Sequence, residues 1–75
     1  MFENLDWDKL KVFIVVAELG SMNAAATRLK ETAPTVSRKI DDLERTLNAR
    51  LLYRSPRGVS LTDAGRKALR YAEIM

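Results

Sequence analysis

Two helix-compatible runs, separated by only three polar residues, leave this chain few ways to fold. Asn23 to Leu29 is rich in alanine, Lys30, Glu31 and Thr32 interrupt it, and a longer amphipathic run begins at Ala33. Thr32 can cap that second run, and Pro34 falls in its first turn, where a missing N–H costs little. Val36, Ile40, Leu43 and Leu47 then recur at spacings of four, three and four, which places them on one stripe. The pattern predicts a helix over 33–47 with a buried seam, held at a sharp turn to the shorter helix before it.

The flanking segments fit around this pair. Asp6 can cap a first helix, Leu5 and Leu10 are spaced for a hydrophobic staple, and Gly20 should end the helix. Leu10, Phe13, Val16 and Ala17 make its stripe, while Val12, Ile14 and Val15 extend the apolar surface almost all round, so burial on two faces is expected. Ser21 can cap the second helix, whose Ala24, Ala25 and Ala26 permit close approach of a neighbour. Asn48 stands where a left-handed residue would close the third helix. Leu51 to Arg54 and Val59 to Leu61 read as two strands around Ser55, Pro56, Arg57 and Gly58. Thr62 can cap a last helix from Asp63 that is still running at Met75, as if the chain were a piece of something longer. The expected class is mainly α, a winged helix-turn-helix: a three-helix core over 1–61 with a small two-stranded wing, then a helix beginning at 62–75.

A chain of 75 residues suits one domain, and at this size only about 60 % of the unfolded surface is buried. It contains no cysteine, so no disulfide or thiolate metal site can staple the core, and a reducing cytoplasm is compatible. The longest apolar run, Val12 to Ala17, is far shorter than the roughly 18 residues of a spanning helix, and no signal-peptide pattern is visible. Thirteen basic side chains face ten acidic ones, unevenly placed. Residues 1–20 carry Glu3, Asp6, Asp8 and Glu18 against Lys9 and Lys11, which gives −2; the remainder therefore carries the +3 total plus 2, or +5. A basic region of this kind suits a polyanionic partner, although basic surface is also common on proteins that bind no nucleic acid.

A helix pair joined by a short turn is the unit that places its second helix in the DNA major groove. With the aliphatic stripe inward, about 100° per residue turns Pro34, Arg38, Asp41 and Arg45 outward, with Thr35 and Ser37 at the flanks. The first two turns hold no acid, and small hydroxyls with one guanidinium can hydrogen-bond base edges or phosphates. On an isolated helix Arg38 and Lys39 would read as ordinary solvated charges. Arg54 and Arg57, bracketing a Pro and Gly turn, favour DNA instead, with the wing straddling a phosphate backbone or entering a minor groove.

Enzyme chemistry has little to work with: there is no His, no Cys nucleophile and no phosphate-cradling glycine loop. Ser37 and Lys39 point about 200° apart on a helix. Asp41, Asp42 and Glu44 diverge too, and read as a solvated acidic patch rather than a hard-cation site. Trp7 and Tyr71 are assigned to core or subunit packing.

The run from Gly20 to Gly65 resembles the amino-terminal domain of LysR-type transcriptional regulators. The likeness rests on Leu10 and Phe13; on Gly20 and Ser21 before Ala25 and Ala26; on Pro34, Ser37, Arg38 and Ile40; and on Leu43, Glu44, Leu47, Arg50, Leu51, Arg54, Arg57, Val59, Leu61, Thr62 and Gly65. It implies a bacterial, cytoplasmic transcription regulator that binds double-stranded DNA at an interrupted inverted repeat. Thr32, Ala33, Pro34, Thr35, Ser37, Arg38, Arg54 and Arg57 would occupy the DNA-contact positions. The last helix would become a linker that pairs subunits into a homodimer or tetramer. No cofactor is expected in this chain; a small-molecule effector would bind a carboxy-terminal domain outside it. Departures from the family pattern are Ala33 in place of a DNA-contacting glutamine, Glu31 for an aliphatic residue, Asn48 for glycine, and Met22 and Leu52 for aromatics. Without an amide at Ala33, more discrimination should fall on Arg38 and the wing. The other classes to weigh are a helical interaction module that joins subunits without DNA, and a winged-helix regulator with an unrelated effector domain.

Overall fold

The structure, a computed structural model, describes residues 6–74. The chain runs α1 (Trp7–Leu19), α2 (Met22–Leu29), α3 (Ala33–Leu47), β1 (Leu52–Ser55), β2 (Gly58–Leu61) and α4 (Asp63–Ile74). Each helix starts on a side-chain oxygen that accepts one of the orphan amides of the first turn. Asp6 Oδ1 accepts from Asp8 N at 2.9 Å, Ser21 Oγ from Ala24 N at 3.1 Å, Thr32 Oγ1 from Thr35 N at 3.3 Å and Thr62 Oγ1 from Gly65 N at 2.9 Å. The four expected caps are thus in place; Leu5, half of the expected staple, lies outside the described residues.

Three helix ends turn left-handed. Gly20 closes α1 at φ 68°, and its N–H donates to Val16 O at 2.8 Å. Lys30 closes α2 at φ 58° with Glu31 N donating to Ala26 O at 2.9 Å, a Schellman pattern repeated at Asn48 (φ 53°), where Ala49 N donates to Glu44 O at 3.0 Å. Asn48 therefore closes α3 in the left-handed conformation, as its position in the sequence predicts. The left-handed turn at Lys30 carried no sequence signal, because a lysine there bears a Cβ that disfavours the conformation.

The three helices pack pairwise around Leu10, Val12, Phe13, Val16, Ala25, Ala26, Val36, Ile40 and Leu43, and Leu51 and Leu52 close the core from the wing. Ala25 and Ala26 are buried where α2 meets its neighbours, but Ala24 is exposed and takes no part. Leu47 ends the α3 stripe only half-buried, and Ile14, Val15 and Ala17 are likewise partly covered, so α1 is buried mainly along Leu10, Val12, Phe13 and Val16. Leu52 replaces the usual aromatic as a fully buried core residue, and Met22 packs half-buried at its edge. Trp7 and Tyr71 are not core residues: they are 58 % and 54 % exposed, and Tyr71 edges a groove with Leu47, Leu51 and Ala68.

The wing is a two-stranded antiparallel hairpin with Leu52 opposite Leu61 and Ser55 opposite Gly58, leaving Pro56 and Arg57 as a two-residue tip. It is tied to the end of α1 by Val59 N donating to Gly20 O at 3.0 Å. Gly58 permits that approach: it sits at φ 132°, and a Cβ there would lie 2.5 Å from Gly20 O. α4 packs back against α1 and β2.

Candidate nucleic-acid interface

The leading end of α3 is built around Thr32. Its hydroxyl caps the helix and donates to Thr35 Oγ1 at 2.9 Å. Val36 and Ile40 bury completely on one side, which leaves Pro34 and Arg38 exposed on the other and Thr35 and Ser37 half-exposed between. The structure thus gathers Thr32, Pro34, Thr35, Ser37 and Arg38 on one surface. Ala33 sits at the edge of this group with its methyl half-buried against the core, and offers nothing polar. Arg38 makes no hydrogen bond or ion pair with another described residue, so its full fork of donors is open to a partner.

The two wing arginines do different things. Arg57, at the hairpin tip, uses its backbone N–H to donate to Ser55 Oγ at 3.3 Å and leaves its side chain in solvent. Arg54 turns inward onto α3: Nη1 donates to Ser37 Oγ at 2.9 Å and Nη2 to Asp41 Oδ1 at 2.7 Å, with Glu44 Oε1 at 3.6 Å. Successive strand residues point to opposite faces, so Arg54 shares a face with buried Leu52 and is aimed at α3. Its place inside β1, against the place of Arg57 at the tip of the hairpin, is what separates the two arginines.

The carboxylates of α3 are not free side chains: the wing engages Asp41 and Glu44, while α1 and α3 itself engage Asp42, and Asp41 stays half exposed. Asp41 holds Arg54. Asp42 holds Arg45 and, at 3.5 Å, Lys9 of α1. The Arg45 guanidinium, helped by Lys9, keeps the Asp42 carboxyl below the usual range. Glu44, 13 % exposed, accepts from Leu51 N at 2.7 Å and Leu52 N at 3.2 Å through Oε2, fixing the start of the wing. Lys39 is not a free cation either. It bridges Asp8 at 2.8 Å and Glu31 at 2.9 Å, and Asp8 is held below its ordinary value by Lys39 while Lys39 is pushed up by Asp8 and then Glu31. Glu31 Oε1 is buried, and the Lys39 ammonium is its charge partner. The family's aliphatic turn residue is here replaced by an acid that joins the turn to α3.

A buried-seam helix after a tight turn, an acid-free leading end and a basic hairpin beside it define a winged helix-turn-helix module. The sequence pattern of the bacterial regulatory helix-turn-helix protein, lysR family, matches residues 7–66, and the chain belongs to that family. The regulator TcbR of Pseudomonas sp. (strain P51) is 48 % identical over 61 residues, covering 81 % of this chain and 21 % of TcbR. The chain therefore spans about a fifth of that relative's length. In the crystal structure of the CbnR DNA-binding domain with DNA, the domain is 44 % identical and superposes with a TM-score of 0.90, over 93 % of this chain and 80 % of that one. The BenM domain on benA site 1 DNA is 34 % identical with a TM-score of 0.87, over 93 % of this chain and 79 % of that one. These relatives are regulators and DNA-binding domains, not enzymes. Among the described residues no helix is long and apolar enough to cross a membrane.

Proposed function

We propose that this chain is the sequence-specific, double-stranded DNA-binding domain of a bacterial LysR-type transcription regulator. α3 enters the major groove through Thr32, Pro34, Thr35, Ser37 and Arg38, and the wing lays Arg57 on the flanking backbone or in the minor groove. The observation that carries this function is the leading end of α3, where a guanidinium with no partner among the described residues and three small hydroxyls stand opposite buried Val36 and Ile40, with no acid in the first two turns. Likeness to domains crystallised on DNA supports it. Ala33 presents only a methyl group at the groove, so Arg38 carries most of the discrimination. Residues 62–75 begin the linker helix that pairs subunits, a role suited to exposed Tyr71 and Ile74 on α4. The regulator acts in the cytoplasm as a homodimer or tetramer on an interrupted inverted repeat, and a small-molecule effector binds outside these 75 residues.

Selection of bound duplexes from a random pool tests the proposal: an enriched motif is the expected result, and an unenriched pool at low salt would overturn it. On the selected duplex, Arg38→Ala should weaken binding by about 1–3 kcal/mol, the range for a bidentate base contact, and should lose much less on scrambled DNA. Equal losses on both would make Arg38 a phosphate contact. Arg57→Ala should instead weaken binding to both duplexes alike. It should also flatten the slope of log K against log salt by about one unit, as expected when one phosphate contact is removed. Titrations between low and moderate salt check this, and an unchanged slope would place the wing tip away from the backbone.

A further inference from the structure

Arg54 matches a DNA-contact position by sequence, yet its surroundings are poorly suited to a phosphate. Its guanidinium lies against Asp41 at 2.7 Å and Glu44 at 3.6 Å, so two carboxylates offset its single charge before any polyanion arrives. Its side chain is 31 % exposed, and its two terminal nitrogens are both directed into α3. Releasing it toward a phosphate would break the bonds to Ser37 and Asp41 and leave Glu44, only 13 % exposed, short of its cation.

We infer that Arg54 is a positioning residue that orients the Ser37 hydroxyl as a hydrogen-bond donor toward DNA. The direction of the bond between them follows from chemistry alone, since a guanidinium has five donors and no acceptor, so Ser37 Oγ must be the acceptor. A serine hydroxyl has one proton and two lone pairs. With one lone pair taken by Arg54 and no described residue accepting the proton, the proton is available to an outside acceptor. Donation by a cation also polarises the O–H bond, strengthening it as a donor and weakening the remaining lone pair as an acceptor. Ser37 is thereby matched to phosphate oxygens or to the purine N7, guanine O6 and thymine O4 edges rather than to the amino groups of adenine and cytosine. The same bridge joins β1 of the wing to the reading helix across 17 residues of sequence. This assignment rests on DNA binding by α3.

The two roles of Arg54 separate in a double-mutant cycle on the full chain and its selected duplex. Ser37→Ala, a change to a better helix former at a half-exposed site, should weaken binding about threefold to tenfold, the worth of one net hydrogen bond. Arg54→Lys keeps the charge but loses the fork, and should weaken binding to a similar extent with the salt slope unchanged. Adding Arg54→Lys to Ser37→Ala should change affinity less than twofold. Full affinity in Arg54→Lys, additive losses, or a slope reduced by about one unit in Arg54→Gln would make Arg54 a phosphate contact and overturn the inference. NMR signals of the Arg54 guanidinium give a readout without substitution: protected protons in the free protein, little shifted by DNA, support positioning. Signals that exchange freely until DNA is added overturn it. Absence of any low-salt binding by the unsubstituted chain would instead remove DNA binding itself, an outcome distinct from every Arg54 result.

Discussion

Gly65→Ala should lower the unfolding free energy by about 3 kcal/mol or more, at the upper end of what overpacking costs. Helix propensity alone predicts the opposite, a gain of about 1 kcal/mol for replacing glycine in a helix. Geometry decides the sign. Gly65 is buried in the first turn of α4, and a Cβ there would press on the Leu51 carbonyl, at 3.0 Å from its carbon, and on Leu61 Cδ2 at 3.1 Å. Leu61 has rotamers to spare, but the Leu51 peptide has none. Its oxygen accepts from Thr62 N at 3.0 Å, and its N–H donates to Glu44 at 2.7 Å. α4 would have to lift away, breaking the Thr62 bonds to Gly65 N and to Arg50 O. A domain of this size has on the order of 4–11 kcal/mol in total, so the loss is a large share of it. Urea unfolding of the two proteins measures it directly, and a variant as stable as the parent would show that α4 is not seated on Leu51.

What the sequence made legible was local. Caps at Asp6, Ser21, Thr32 and Thr62, the seam of α3 and the two short strands of the wing all depend on near neighbours in sequence, and these elements fell close to where expected. Small offsets arose where tertiary contacts extend an element: Ser55 and Gly58 belong to the strands because they pair across the hairpin. The contacts that were not legible join separate elements. Lys39 meeting Asp8 and Glu31, Arg54 meeting Ser37 and Asp41, and Glu44 reaching Leu51 and Leu52 all depend on how helices cross and where the wing folds back. Exposure of Trp7 and Tyr71 belongs to the same class, since hydrophobic type says nothing about which helix face finds a neighbour. Reading charge alone thus overstated both the acidic surface of α3 and the number of free cations near the groove.

Glu44 is the residue whose role charge patterning most obscured, and its removal should have the second large effect. Glu44→Ala withdraws one carboxylate oxygen from two backbone amides, Leu51 N and Leu52 N, whose side chains are fully buried at the entrance to the wing. A buried donor left without a partner costs about 1–3 kcal/mol, and bonds to a charged acceptor lie toward the upper end, so a loss of about 2–4 kcal/mol is expected. Glu44→Gln keeps an acceptor oxygen at nearly the same reach and should lose only about 1 kcal/mol, the difference between a charged and a neutral acceptor. Urea unfolding of the three proteins gives the ordering. If Glu44 were merely a surface charge, both variants would stay within about 0.5 kcal/mol of the parent, as ordinary surface substitutions do. A functional signature should accompany the stability loss. Leu51 and Leu52 lead directly into Arg54, so a loosened strand start lets the wing shift against α3, and Glu44→Ala should weaken DNA binding under conditions where the protein remains folded. Glu44→Gln, which keeps the strand seated, should bind nearly as the parent does. Parent-like DNA binding by folded Glu44→Ala would mean that the wing holds its place without this clamp.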